Sequence, residues 1–245
     1  MKKAAKILVL LLFIVLTFTF VILRMLANGS EDNFFNQKYR VALAKNPLLR
    51  NLLALHFDGD GRFDYLGQTN KKLWIEIDAM AGLSIPQDSL DLLAKKIAGV
   101  TGEDVLFFDS DANIPFQAAV GQDQVKQLVD RYKNFQPTDG AYLYLLYLNS
   151  SSTDAQLLGS TYQEYGIVLY DQALKDLTQE SPQTFSDYVQ STALHEFGHQ
   201  LGLPHNKQAN CLMNSLADTS AVMWQAPSDV LVDFCDYEKL LIRAE

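Results

Sequence analysis

The chain has 245 residues, 48% of them hydrophobic, which suffices for one good-sized globular domain plus attachments. Its net charge of −9 argues against a nucleic-acid surface, which requires a basic patch, so no nucleic-acid partner is expected. Beyond that, the acidity bears only on solubility.

Residues 1–30 read as a targeting segment outside the fold. Lys2, Lys3 and Lys6 precede an uninterrupted apolar run over 7–23, which Arg24 ends. Spanning helices need roughly 17–25 apolar residues, so the run matches the short end of that range and exceeds an ordinary signal h-region. Met25-Leu26-Ala27 is a poor cleavage site. The expectation is an uncleaved signal anchor: a membrane partner through an N-terminal helix, with a single-pass, extracytoplasmic domain. The alternative is secretion after signal cleavage.

Residues 31–70 read as a juxtamembrane stalk, a short helical pair or a propeptide-like segment. Tyr39, Val41, Leu43, Leu48, Leu49, Leu52 and Leu53 have helical spacing, interrupted at Pro47. Phe57-Asp58-Gly59-Asp60-Gly61 reads first as a turn, since Asp-Gly pairs are strong turn formers. A calcium loop would need a D-x-D-x-D-G order that is not met. The F-x-G-D part also resembles the astacin propeptide segment, and that resemblance implies Asp60 as a latency ligand on a metal. No cysteine precedes residue 195, which excludes a cysteine switch. His56 reads as incidental.

The domain expected over 71–245 opens with an alternating strand at 73–77 and a helix over 86–98 with Leu90, Leu93, Ala94 and Ile97 on one stripe. An apolar strand at 105–108, a helix over 121–132 and a strongly apolar strand at 141–148 follow. Two more strands are expected at 157–162 and 167–170. Strand, helix, strand at the start predicts a parallel pair. A helix starting near 182–184 presents Phe185, Tyr188, Val189, Thr192, Ala193 and Phe197 to the sheet.

That helix carries His195-Glu196-Phe197-Gly198-His199, and the chain continues to Gly202 and His205: H-E-x-x-H-x-x-G-x-x-H. Positions four apart share a helical face, so His195 and His199 can meet one metal. Gly202 can end the helix in a left-handed turn, which returns the chain and delivers His205 as a third nitrogen ligand. Three imidazoles with one open position is a catalytic zinc arrangement, and Glu196 beside it is the candidate general base. One catalytic Zn2+ is therefore expected. After Met213, residues 215–226 read as a loop, with Met223 and Trp224 as apolar candidates for a specificity wall. A last helix is expected from 227–229, with Ser228 as cap.

With Met213 in Cys211-Leu212-Met213-Asn214, the motif resembles the metzincin clan of zinc peptidases, in which a methionine turn runs beneath the zinc. The nearest subgroup is similar to the archaemetzincins, whose pattern adds a cysteine after the third histidine, C-x-M, and a later C-x-x-C. Here Cys211 and Cys235 are present, whereas Asn206 and Glu238 stand at the other two cysteine positions. The resemblance implies an α+β fold: a zincin-like mixed twisted sheet, an active-site helix and a small C-terminal subdomain ending in a helix. It implies Met213 as an apolar floor, peptide or protein substrates, and an edge strand near 159–162 on which a peptide adds as an extra strand. An oxidising compartment favours a disulfide between Cys211 and Cys235, the only two cysteines; two buried free thiols are the alternative. The expected activity is that of a zinc metalloendopeptidase. Its alternatives are a zinc aminopeptidase and a non-catalytic zinc-binding ectodomain.

Overall fold

The computed structural model describes residues 2–27, 34–35, 38–39, 43, 46–53, 62–66, 71–110, 112–135, 137–163, 165–179, 184–208, 210–214 and 230–243. The turn or latency segment at 57–61, with Asp60, lies outside the described residues, as do His56, Met223, Trp224 and Ser228. The chain forms two compact units, Met1–Phe57 and Asp58–Glu245.

The first unit holds helix α1 (Lys2–Ala27) and helix α2 (Pro47–Leu53). Asn46 starts α2: its side-chain oxygen accepts from the backbone N–H groups of Leu48 and Leu49 at 3.0 and 3.2 Å. Among the described residues no helix is long and apolar enough to cross a membrane. A spanning helix needs about 20 predominantly apolar residues in one run. The expected single-pass membrane localisation, and a membrane partner through this helix, are corrected accordingly.

The second unit opens with a single helical turn, α3 (Arg62–Tyr65). There follow β1 (Lys72–Ala79), α4 (Gln87–Thr101), β2 (Asp104–Asp109), α5 (Gln122–Tyr132), β3 (Ala141–Leu148), β4 (Gly159–Tyr162) and β5 (Gly166–Tyr170). Helices α6 (Asp171–Gln179), α7 (Phe185–Gln200) and α8 (Asp236–Arg243) complete it. The five strands lie in the order β2-β1-β3-β5-β4. All neighbours are parallel except β4, which runs antiparallel to β5 and forms one edge. This is the mixed sheet expected of a metzincin-like fold.

The two faces of β3 bury alternate residues, as a period of two dictates. Leu143, Leu145 and Tyr147 join Leu93 and Ile97 of α4 and Val189, Leu194 and Phe197 of α7 in one core. Tyr144, Leu146 and Leu148 join Val125, Leu128 and Val129 of α5 in the other. The tyrosines of this strand also hold buried carboxylates. Tyr142 donates to Glu76, Tyr144 to Asp78 at 2.6 Å and Tyr147 to Asp171 at 2.7 Å. Burial, and then the facing carboxylates, hold these phenols far above their usual range.

Two elements differ from expectation. Helix α6 follows β5 without a break, burying Ala173, Leu174 and Leu177. The last helix begins at Asp236, not near 227–229. Segment 230–235 is not helical and is tied down instead: Leu231 O accepts from Ser191 Oγ of α7 at 2.7 Å, and Asp233 bridges Lys96 at 2.8 Å and Lys239 at 3.3 Å.

Turn α3 belongs to the core of this unit. Tyr65 packs on Phe197 with ring centroids 5.3 Å apart and donates to Tyr142 O at 3.0 Å. Arg62 donates to Leu201 O at 3.2 Å, at the end of α7, and to Leu241 O and Ile242 O at 3.2 and 2.6 Å in the last turn of α8. A guanidinium there meets the negative ends of two helices at once.

Beside α3 sits Glu103, 4% exposed, and among the described residues neither of its carboxyl oxygens has a hydrogen-bond partner. Burial, and then the charge of Asp64, push its carboxyl up from 4.5 to about 7. A folded-state pKa above the unfolded one means that this group's contribution is fully favourable below the unfolded value and is lost as pH rises through the folded value. Glu103→Gln is therefore expected to stabilise the protein at about pH 8, by at most ~3 kcal/mol, and to give no gain at about pH 4. Denaturant unfolding at both pH values checks this; a gain that does not change with pH would sink it.

Candidate metal centre

Helix α7 starts in a capping box: Thr184 Oγ1 accepts from Asp187 N at 3.2 Å, and Asp187 Oδ2 accepts from Thr184 N at 3.1 Å. From Tyr188 to Gly198 every residue is buried, so the helix is fixed on all sides before it reaches the histidines. It ends in a Schellman turn. Gly202, at φ 76°, donates to His199 O at 2.8 Å, and Leu203 donates to Gly198 O at 3.0 Å. A Cβ at that φ would be strained, so glycine suits this reversal. The chain then doubles back and carries His205 towards the helix.

The three imidazoles converge through their Nε2 atoms. His205 Nε2 lies 3.3 Å from His195 Nε2 and 3.0 Å from His199 Nε2. The other ring nitrogens point away. His195 Nδ1–H donates to Leu212 O at 2.7 Å, and His199 Nδ1–H donates to Leu203 O at 3.0 Å. A carbonyl accepts only from a protonated nitrogen, so both rings carry their proton on Nδ1 and turn the Nε2 lone pair inward. Two lone pairs aimed at one point, with the Nε2 of His205 beside them, make a donor set for a cation. Tetrahedral Zn–N bonds of about 2.0–2.1 Å place ligand nitrogens roughly 3.3 Å apart. The donor set, its tautomers and its spacing all fit zinc.

Met213 lies under the helix and is fully buried. A Cβ on Gly198 would stand 2.3 Å from its sulfur and 3.0 Å from Phe234 Cε1, so the methionine segment seats directly on the helix between His195 and His199. Asn206 N donates to Met213 O at 2.7 Å, tying the strand after His205 to the same segment. Cys211 and Cys235 form a disulfide across a separation of 24 residues. Glu238, 1% exposed, accepts from Leu212 N, Met213 N and Cys235 N at 3.1, 2.7 and 3.0 Å, and from Asn206 Nδ2 at 2.9 Å.

Glu196 is buried, and its side chain lies across Gly159 of the edge strand β4. Behind it, Ser160 and Ser151 hydrogen-bond the phenol of Tyr170. Burial and the Glu196 charge push that phenol up, while the two serine bonds act against them.

Sequence reasoning placed Gly159 on the edge strand beside the cleft but not its contact with Glu196, and it did not find the roles of Glu238 or Arg62. A glycine inside a strand does signal a close approach by another group. Asn206 and Glu238 were visible only as substitutions at cysteine positions. Nothing local marks Arg62.

A five-stranded mixed sheet over a histidine-bearing helix defines a metzincin-like, zinc-dependent metallopeptidase. The family described as Matrixin, peptidase family M10, matches residues 27–229, and the chain belongs to it. Zinc is the metal expected of this family. No curated protein matches the sequence. Among solved structures it is similar to archaemetzincin from Methanopyrus kandleri, at 16% identity and TM-score 0.49, over 72% of this chain and 96% of that one. It is also similar to a zinc-dependent peptidase from Methanocorpusculum labreanum, at 14% identity and TM-score 0.49, over 70% and 100% of the two chains. A third likeness is to metalloproteinase-II from Bacteroides fragilis, at 14% identity and TM-score 0.44, over 82% and 59%.

Proposed function

We propose that the protein is a zinc metalloendopeptidase in which His195, His199 and His205 hold one catalytic ion and Glu196 is the general base. The observation that carries this reading is the convergence of three Nε2 atoms, with the Nδ1 protons of His195 and His199 held by main-chain carbonyls. Zinc bound there supplies a Lewis acid that activates water and polarises the scissile carbonyl. Glu196 takes the proton of the attacking water on its carboxylate and returns it to the departing amine, so the peptide bond breaks without a covalent acyl-enzyme. The backbone of β4, paired with β5 alone among the described residues, offers its outer edge for an extended peptide to add as a further strand. Such main-chain recognition suits cleavage within a chain rather than at its amino end.

A single ion is favoured. The second group of metal-type ligands, Cys211, Cys235 and Glu238, is already closed by a disulfide and by N–H donors to the carboxylate. The disulfide suits an oxidising compartment outside the cytoplasm, in keeping with a secreted protein.

The test is hydrolysis of a quenched, unfolded protein substrate. Dialysis against a chelator is expected to abolish turnover, and one equivalent of zinc to restore it. Turnover that survives complete removal of metal would reject the reading.

A further inference from the structure

Strand β4 passes so close to α7 that the side-chain position at Gly159 is already taken. A Cβ built there would stand 2.8 Å from Thr192 Cγ2, 3.0 Å from Glu196 Cγ and 3.1 Å from Glu196 Oε1. Real Cβ atoms do not come nearer than 3.0 Å to a neighbour, and 3.0–3.1 Å is tight. Gly159 is buried, so neither strand nor helix can swing into solvent to make room. Its backbone is fixed from the other side as well, by the Gly159–Leu169 pairing and by the bond from Tyr170 N to Leu158 O at 2.9 Å. Helix α7 is equally immobile, because it is buried along its length and anchored at both ends. What must give way is side chain, not backbone: the Thr192 methyl and the Glu196 side chain.

We infer that Gly159 is a positioning residue for the general base: the missing side chain on the edge strand is the space in which the Glu196 carboxylate is held. This rests on the role proposed for Glu196. Any side chain at 159 must push that carboxylate aside, and a displacement of under an ångström at a proton-transferring group costs rate rather than substrate binding. A misplacement of about 1 Å can cost about a hundredfold.

The test is a double-mutant cycle. It is built in a Thr192→Ala background, so that the 2.8 Å contact with the threonine methyl is gone and only the two contacts with Glu196 remain. Thr192→Ala also removes a buried hydroxyl that has no hydrogen-bond partner, so this background is expected to fold and turn over normally. Adding Gly159→Ala is expected to lower kcat about tenfold to a hundredfold, with KM within about threefold and one zinc retained. It is also expected to lower Tm. In the combined Thr192→Ala, Glu196→Ala background both penalties are expected to vanish, because the threonine methyl, Cγ and the carboxylate are all absent: Gly159→Ala should then change neither the residual rate nor Tm.

A kcat within twofold of the background would overturn the inference. So would a Tm loss that persists without the Glu196 side chain, which would place the clash elsewhere. A rise in KM at constant kcat would instead make Gly159 part of the substrate groove, and would likewise overturn it. Near-normal turnover in Glu196→Ala alone would sink the general-base reading. The Tm arm of the cycle would still report whether the two side chains compete for one space.

Discussion

Glu196→Gln is expected to lower kcat by about a thousandfold, within the 10²–10⁴ that a positioned general base contributes, and to leave zinc content and fold unchanged. The substitution keeps the side chain's shape and its place against Gly159, so the packing around it is not disturbed. What it removes is the ability to accept a proton. The amide cannot take one from water at neutral pH, and among the described residues the cluster of the three imidazoles includes no carboxylate that could replace it. The zinc ligands do not depend on it, because His195 and His199 are oriented by Leu212 O and Leu203 O. Metal analysis and a circular dichroism spectrum should therefore match the parent, with the loss confined to kcat. Activity within tenfold of the parent would move the base to another group. Loss of zinc would mean that the carboxylate shapes the metal site and does more than proton transfer.

What could be read from the sequence was what is local. The ligand motif fits in a dozen residues because one helix and one reversal carry it. The strands were legible from alternation and β-branched or aromatic content, and β3 from its unbroken apolar run. Helix α6 was not, because only Ala173, Leu174 and Leu177 mark its buried face and no turn residue separates it from β5. The last helix was placed too early because Pro227, Ser228 and Asp229 form a good local start signal. Ties from Ser191, Lys96 and Lys239 hold the chain on a non-helical path through Asp233. Arg62 was beyond reach: its acceptors lie 139, 179 and 180 residues away, and no local pattern encodes a contact of that span. Membrane anchoring was read from the apolar run over 7–23, the lysines before it and the poor cleavage site after it, whereas among the described residues no helix is long and apolar enough to cross a membrane.

Glu238→Ala is expected to destabilise the protein by about 4 kcal/mol or more and to weaken zinc binding by roughly 10–100-fold, although the residue touches no zinc ligand. In the archaemetzincin pattern, the positions of Asn206, Cys211, Cys235 and Glu238 hold four thiolates. Here the same four positions come together. The two cysteines close a disulfide, and the other two pair through Asn206 Nδ2 and the Glu238 carboxylate. The carboxylate also gathers three main-chain N–H groups, from Leu212, Met213 and Cys235. Truncation strands those donors in a buried site, where each unpaired group costs about 1–3 kcal/mol. The chain path from Glu238 to the metal is short. It holds Leu212 N, and Leu212 O holds His195 Nδ1 in the tautomer that turns Nε2 inward. Freeing Leu212 lets that imidazole rotate, so the metal is lost before the fold is. The disulfide contributes a separate share, about 3.5 kcal/mol by loop closure over its 24-residue separation. It cannot replace the carboxylate, because it tethers Cys211 without orienting the Leu212 carbonyl. Reduction of the parent is therefore expected to lower Tm with little change in zinc affinity, whereas Glu238→Ala with the disulfide intact lowers both. Zinc affinity equal to the parent's in Glu238→Ala would break the proposed link from this carboxylate to His195. A zinc loss on reduction as large as in Glu238→Ala would assign the orientation of Leu212 to the disulfide instead.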